Sequence, residues 1–347
     1  MMFKINVLFF LFNLFNLSKN IFKAETECPN VISKEDRRYN KNTLRLVQYN
    51  VEWLFIDYYT SSDCPGNGCT WKNLSDAQTH MNYVSEVIKK LNPDMINFCE
   101  IEGCDELNIL SSMLNETYLP YLKKGTDTST GQNVGLLTKI DPIKNLYRTE
   151  LKYNYPISGS NCGYTGSISS TGVSKHYITE FRINNIDIAF ISAHLIAIPT
   201  DPSRCSQREA QAIILQTIIN SYISDNYEII MIGDFNDYDS EILDMNNDKP
   251  ISRVLDILKG HYGTYSGEYE LFSVAENISQ NKRYSDWWDS DNDCNTYSIY
   301  DYSMIDHILV SSLLRKYISN VFIYHGYFEY CGKYNSDHYP VVVDFKF

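Results

Sequence analysis

Two periodicities alternate along the chain: short apolar runs of strand length, and segments whose apolar positions recur every three to four residues. Leu44 to Val51 opens as a strand. Ala77, Met81, Val84, Ile88 and Leu91 fall at helical spacing, and Asn92-Pro93 ends that helix. Asp94 to Phe98 reads as a buried strand, Asp105 to Leu114 as a second helix, and Asn133 to Leu137 as a further strand. Tyr177 to Ile183 and Ile186 to Ala193 flank Asn184-Asn185, the signature of a β-hairpin. Ala210, Ile213, Ile214, Ile218 and Tyr222 mark a helix whose start is read at Ser206, followed by a strand over Glu228 to Ile232. Late strands are expected over Met304 to Val310, Ser319 to Tyr324 and His338 to Phe345. Lys259 to Ser303 is long, polar and aromatic, and reads as an insertion or active-site loop.

This mixture lacks strict βαβ alternation. It suits two layered sheets flanked by helices better than a Rossmann fold. A chain of 347 residues with 44% hydrophobic content can bury one large α/β core, and no break in composition divides it.

The first residues stand apart. Lys4 precedes an apolar run from Val7 to Leu17, then polar Ser18-Lys19-Asn20, with Ala24 as a cleavage residue. This predicts a signal peptide over residues 1–24, an extension over 25–43 and the folded domain over 44–347. An uncleaved membrane anchor is the alternative. Export into a secretory lumen or beyond would let most of the nine cysteines pair. Cys64 and Cys69 bracket a natural short disulfide loop, and an odd total leaves at least one thiol over. Acceptor sequons at Asn73, Asn115 and Asn277 fit a glycoprotein. The net charge of −13 excludes a tight, salt-sensitive DNA binder, but not an enzyme whose phosphate contact is focused by a divalent cation.

The candidate chemistry sits at strand ends. Gly233-Asp234-Phe235-Asn236-Asp237 follows an apolar strand, so Asp234 and Asn236 face one side while Phe235 faces the core. A carboxylate can orient water, and a neutral amide can bond a phosphoryl oxygen without repelling it. Asp306 lies on a strand shortly before Asp337-His338, and a carboxylate holding His338 would make an acid/base unit. His194 ends the apolar strand of the hairpin and offers a second imidazole. Asn50 and Glu100 close two earlier strands, and hard oxygen ligands of this kind suit Mg²⁺.

This ordered set, Asn50, Glu100, His194, Asp234-x-Asn236, Asp306 and Asp337-His338, resembles the DNase I-like endonuclease/exonuclease/phosphatase family over Leu44 to Phe347. The resemblance implies a four-layer α/β sandwich with two central mixed sheets and the site at their rim. It implies metal binding by Glu100, with Asn50 and Asp337, and Mg²⁺ (or Mn²⁺) as cofactor. Asp234 would activate water, Asn236 would contact the scissile phosphate, and His194 and His338 would serve as acid/base groups, with Asp306 orienting His338. Lys175 falls where family nucleases place a basic phosphate contact. Two departures are visible: Cys99 stands where many members have Gln, and the amides Gln132-Asn133 stand where pancreatic-type nucleases support the first histidine with a carboxylate.

Weaker signals remain. Asp289 to Asp293 resembles the start of a Ca²⁺ loop without its central Gly or terminal Glu. Arg283, Tyr284, Trp287 and Trp288 could grip phosphates or stack on bases, or could be loop packing. The expected function is a secreted divalent-metal-dependent nuclease acting on nucleic acid, with DNA as the expected substrate and no obligate protein partner. The rival is a sphingomyelinase-like phosphodiesterase at a lipid surface. A non-catalytic protein on the same fold is disfavoured because no catalytic position is lost.

Overall fold

Every residue of Asn133–Thr138 and all but one of Met95–Ile101 are buried, as strands covered on both faces require. The structure, a computed structural model, describes residues 27–56, 71, 73–114, 117–289, 291, 293–295, 298–327 and 335–347. The expected signal peptide and the Cys64–Cys69 pair lie outside these residues.

In the first half of the chain the elements are β1 (Thr43–Leu54), α1 (Leu74–Leu91), β2 (Met95–Ile101), α2 (Cys104–Leu114), β3 (Leu119–Leu122) and β4 (Asn133–Thr138). Next come β5 (Tyr153–Tyr155), β6 (Ser169–Thr171), β7 (Lys175–Ile183), β8 (Ile186–His194), α3 (Pro202–Ser224) and β9 (Glu228–Asp234). The chain closes with α4 (Val254–Lys259), β10 (Leu271–Ser273), β11 (Asp286–Trp287), β12 (Tyr302–Ser303), β13 (Asp306–Ser311), α5 (Ser312–Arg315), β14 (Ile318–Ile323) and β15 (Val341–Lys346).

Two large sheets form, ordered β14-β15-β1-β2-β4-β3 and β10-β13-β9-β8-β7. Each is mixed: β1 and β2 run parallel, as do β8 and β9, among antiparallel neighbours. Successive side chains of one strand serve different layers, because a strand points them to alternate faces. Leu46 and Ile230 pack between the sheets, whereas Val47 meets α1 and α2, and Met231 meets α3 and α4. The result is a four-layer α/β sandwich, as expected.

Asn184 and Asn185 take φ of 50° and 63°, the left-handed values that a two-residue hairpin turn demands. Two expected boundaries move. The third helix starts at Pro202 rather than Ser206, because Asp201 caps it by accepting from Arg204 N and Pro202 fits its first turn. The last strand starts at Val341, since His338 pairs instead with Asp286 in an isolated bridge. Disulfides join Cys28 to Cys104 and Cys162 to Cys205, Cys294 is also disulfide-bonded, and Cys99 is a buried free thiol. Among the described residues no helix is long and apolar enough to cross a membrane.

Candidate active site

The two parallel strand pairs end at the same rim, and there the candidate residues gather. Glu100 is thrown inward by an irregularity in β2. The β1–β2 and β2–β4 registers both shift around it, and its φ is 67°, a left-handed value uncommon outside glycine. Its carboxylate accepts from Trp53 N at 3.1 Å and from Asn50 Nδ2 at 3.3 Å. The same Asn50 amide donates to Asp234 Oδ2 at 3.0 Å, while Asn50 Oδ1 accepts from Glu52 N. The amide nitrogen of Asn50 therefore faces the carboxylates, and its oxygen is turned away. In this arrangement Asn50 orients two carboxylates through its amide nitrogen, which places it at the expected metal site beside Glu100.

At the other side, His338 Nδ1 donates to Asp306 Oδ2 at 2.7 Å, and Gln48 Nε2 donates to Asp306 Oδ1 at 3.0 Å. His338 Nε2 lies 3.4 Å from Asp286, 3.9 Å from Asp337 and 4.0 Å from Asp234. His194 Nε2 closes the ring, 3.5 Å from Asp234 and 3.9 Å from Glu100. Glu100 and His338, 238 positions apart in the sequence, thus share one pocket.

The two imidazoles are driven in opposite directions. Burial opposes charge on His338, but Asp306, Asp337 and Asp286 together raise its pKa well above the usual histidine range. Burial, reinforced by Lys175 and His338, holds His194 well below it, so His194 is neutral. His194 Nδ1 is buried without a hydrogen-bond partner, which agrees with the missing carboxylate noted from Gln132-Asn133. Gln132 serves Lys175 instead, accepting from its Nζ at 3.1 Å, and Asn133 donates to Glu102 O. Lys175 is paired across the hairpin with His194, so the structure brings it to the site.

Asn236 sits beside the cluster with φ of 50°. Its N–H donates to Asp234 Oδ1 at 2.9 Å, and Nδ2 donates to Leu195 O at 3.2 Å. Its neighbour Asp237 is structural: it pairs with buried Arg208 at 2.9 Å, and that guanidinium braces the loop after His194 through the carbonyls of Ile196, Ile198 and Pro199. His307 likewise faces away, bonded to Asp237 O and stacked on Phe235.

Asp286 was missed in the sequence. It reaches the pocket because Ser285, Asp286 and Trp287 pair with the stretch around His338: Tyr339 N donates to Ser285 O at 2.7 Å and Trp287 N to Asp337 O at 2.9 Å. Only its place in a polar, aromatic loop hinted at this. Arg283 is a correction in the other direction. Its Nε and Nη1 donate to the carbonyls of Ala275, Ile278 and Leu243, so these bonds anchor the guanidinium to the loop, apart from the cluster. Trp287 is buried between the sheets, leaving Trp288 alone exposed.

A divalent cation fits this donor set. Four carboxylates, Asp234, Asp286, Asp306 and Asp337, lie within 4.0 Å of the charged imidazole of His338, with Glu52 accepting from Asp337 N and Glu100 beside His194. Asp337 Oδ1 is buried with no hydrogen-bond partner. Burial, with repulsion from Glu52, pushes the Asp337 carboxyl well up, and burial with repulsion from Asp306 pushes Asp234 up to about 7. Such crowding is relieved by a hard cation. Ligand atoms of Asp286, Asp337 and His338 lie within 4.8 Å of one another, as do those of Asp234, Asp306 and His338. The carboxylates of Asp289, Asp291 and Asp293 also converge, but in an exposed loop.

No curated protein sequence matches the chain. Among solved structures, truncated Caenorhabditis elegans TDP2 aligns with TM-score 0.50 at 15% identity, covering 90% of this chain and 100% of that one. A mannosyl-6-phosphatase of Bacteroides thetaiotaomicron aligns with TM-score 0.50 at 16% identity, covering 86% and 98%. At these identities the likeness is one of fold. The sequence model of the Endonuclease/Exonuclease/phosphatase family matches residues 47–338, a span that holds every residue of the pocket just described. By that match over most of its length, carried on a two-sheet fold that the solved structures share, the chain belongs to the endonuclease/exonuclease/phosphatase family.

Proposed function

We propose that the protein is an exported, divalent-metal-dependent phosphodiesterase that hydrolyses nucleic acid. The observation that carries the reading is the buried Asp306–His338 pair, 2.7 Å apart, facing Asp234, Asp286 and Asp337 in one pocket with Glu100. Separated environments for paired titratable groups are what acid/base chemistry near neutral pH requires. The disulfides Cys28–Cys104 and Cys162–Cys205 favour an oxidising compartment and hence export.

In this reading Glu100 and Asp337 hold the cation, with Asn50 fixing the carboxylate of Glu100. A bound divalent cation supplies charge neutralisation and polarises a phosphoryl oxygen. Asp234 orients the attacking water and takes its proton, a task suited to a carboxyl raised to about 7. Charged His338 donates from Nε2 to a phosphoryl oxygen, and Asp306 keeps that ring charged and aimed. Asn236 is a neutral donor to the same group. Neutral His194, 3.5 Å from Asp234, offers an uncharged hydrogen-bonding nitrogen beside the water-binding carboxylate.

Nicking of supercoiled plasmid and hydrolysis of sphingomyelin, assayed side by side with Mg²⁺ and with EDTA, test the proposal. Mg²⁺-dependent nicking without lipid turnover is expected. Lipid turnover alone would move the protein to the lipid-directed rival, for which Trp288 provides one exposed aromatic side chain. Neither activity would refute both.

A further inference from the structure

A cavity of about 970 Å³ opens from Glu100 and His194. That lies at the upper end of the ~300–1,000 Å³ range of ligand pockets. Its outer wall is formed by residues 148–152, just before β5, and by residues 170–174, from β6 to the start of β7. This wall is fastened rather than loose. Cys162, between β5 and β6, is bonded to Cys205 of α3, Gln211 of α3 donates to Gly172 O at 3.0 Å, and Tyr262 donates to Ser158 O at 2.8 Å.

The charges on this wall are mixed: Glu100, Asp127 and Glu150 also line the cavity, and Lys175 lies 3.9 Å from Asp127. Arg45, Arg182, Arg208 and Arg315 are each committed to a carboxylate. Arg148, Lys152 and Arg204 line the cavity, and none of them has a described carboxylate within 4.0 Å. Arg148 is also positioned: Nη2 donates to Val173 O at 2.9 Å and Ser174 O at 3.0 Å, while its buried Nε has no partner. Three cations without an ion pair, gathered on the lining of one cavity in a chain of net charge −13, offer a place where an anion can be received. Leu151, half exposed beside Lys152, adds an apolar surface of the kind a base face covers.

We propose that this cavity is the subsite for the nucleotide next to the scissile linkage, its phosphate held by Arg148, Lys152 and Arg204. This rests on the nucleic-acid reading above and sharpens it. The cations lie on a recessed wall and not on a flat face, so the neighbouring nucleotide enters the cavity unpaired. The preferred substrate is therefore a single strand of at least two phosphates, and a lone phosphodiester is a poor one.

The test compares Lys152→Gln, Arg204→Gln and the double variant with wild type on two substrates in Mg²⁺: a labelled single-stranded oligothymidylate, and bis(4-nitrophenyl) phosphate, which has no second phosphate. Each charged contact is worth about tenfold or more in oligonucleotide kcat/KM. The double variant should also flatten the dependence of log kcat/KM on log salt by about 1.4, at ~0.7 per contact to a single strand. Hydrolysis of the small ester should stay near wild type. If wild type cuts the oligonucleotide and the double variant cuts it equally well, the subsite is refuted while the nuclease reading stands. If wild type hydrolyses only the small ester, competition decides. Inhibition by oligothymidylate that the double variant relieves keeps the anion subsite and removes the nuclease reading. Absence of inhibition removes both.

Discussion

Replacing Asp306 by Asn takes one negative charge from beneath His338 while keeping the shape of the side chain. Asp306 is 1% exposed and accepts from His338 Nδ1 at 2.7 Å and from Gln48 Nε2 at 3.0 Å. An amide in its place leaves burial to pull the His338 ring toward neutrality, because Asp306 is the foremost charge holding it protonated. A positioned acid/base group contributes about 10²–10⁴ in rate, or ~3–5 kcal/mol of barrier at 1.36 kcal/mol per decade. Folding stability changes through two opposed effects: the buried attraction between Asp306 and charged His338 is lost, while the repulsion that helps push buried Asp234 up to about 7 is relieved. The assay is kcat on bis(4-nitrophenyl) phosphate at saturating Mg²⁺, with a thermal melt on the same preparation. Loss of turnover in a variant that still melts cooperatively, so that kcat falls far more than the folded fraction, is expected. A folded variant with near-wild-type kcat would refute the reasoning, and loss of the cooperative melt would mean that Asp306 acts on the fold.

Two further outcomes follow from the scaffold. Gly233 has φ of 151°, and a Cβ there would meet Ala193 O at 1.8 Å, across the β8–β9 pairing of these two residues. Gly233→Ala should cost at least ~3 kcal/mol, and a variant melting with wild type would contradict that packing. Asp141 accepts from Ser33, Arg37, Glu35 N and Tyr121, and despite burial, which works against it, these partners hold its carboxyl down at about 2. A carboxyl lowered on folding stabilises above its unfolded pKa of ~3.9 and loses that contribution as pH falls toward 2. After allowance for solvent screening this is about 1 kcal/mol. Denaturant midpoints of wild type and Asp141→Asn should therefore converge between pH 4 and 2, and a gap that persists there would exclude the mechanism.

Much of this molecule was legible because its signals are local. The hairpin needed only Asn184-Asn185 between two alternating runs, and Asp234 needed only an apolar strand before it. Glu100 was readable as a strand end, but not its left-handed φ, which depends on how β1 and β4 slip past it. The start of α3 was misread because periodicity was followed from Ala210, whereas the boundary is written in Asp201-Pro202, a cap and a first-turn proline. Asp286 could not be read at all. It arrives through backbone pairing of residues 285–287 with 337–339, about fifty positions apart, and nothing in its own neighbourhood encodes that contact. Arg283 was misplaced for the same reason in reverse, and for Trp287 the loop-packing alternative holds. Their types fit nucleic-acid contact, but tertiary packing turned one onto carbonyls and the other between the sheets.

Everything proposed here depends on a cation entering the crowd of carboxylates between β1, β2 and the Asp337-His338 turn. Anomalous diffraction from crystals soaked in Mn²⁺ locates it directly. A peak bonded to oxygens of Glu100 and Asp337, absent from Glu100→Gln crystals, is expected. A pocket with no peak, or Mn²⁺ bound only at the exposed loop of Asp289, Asp291 and Asp293, would contradict the account.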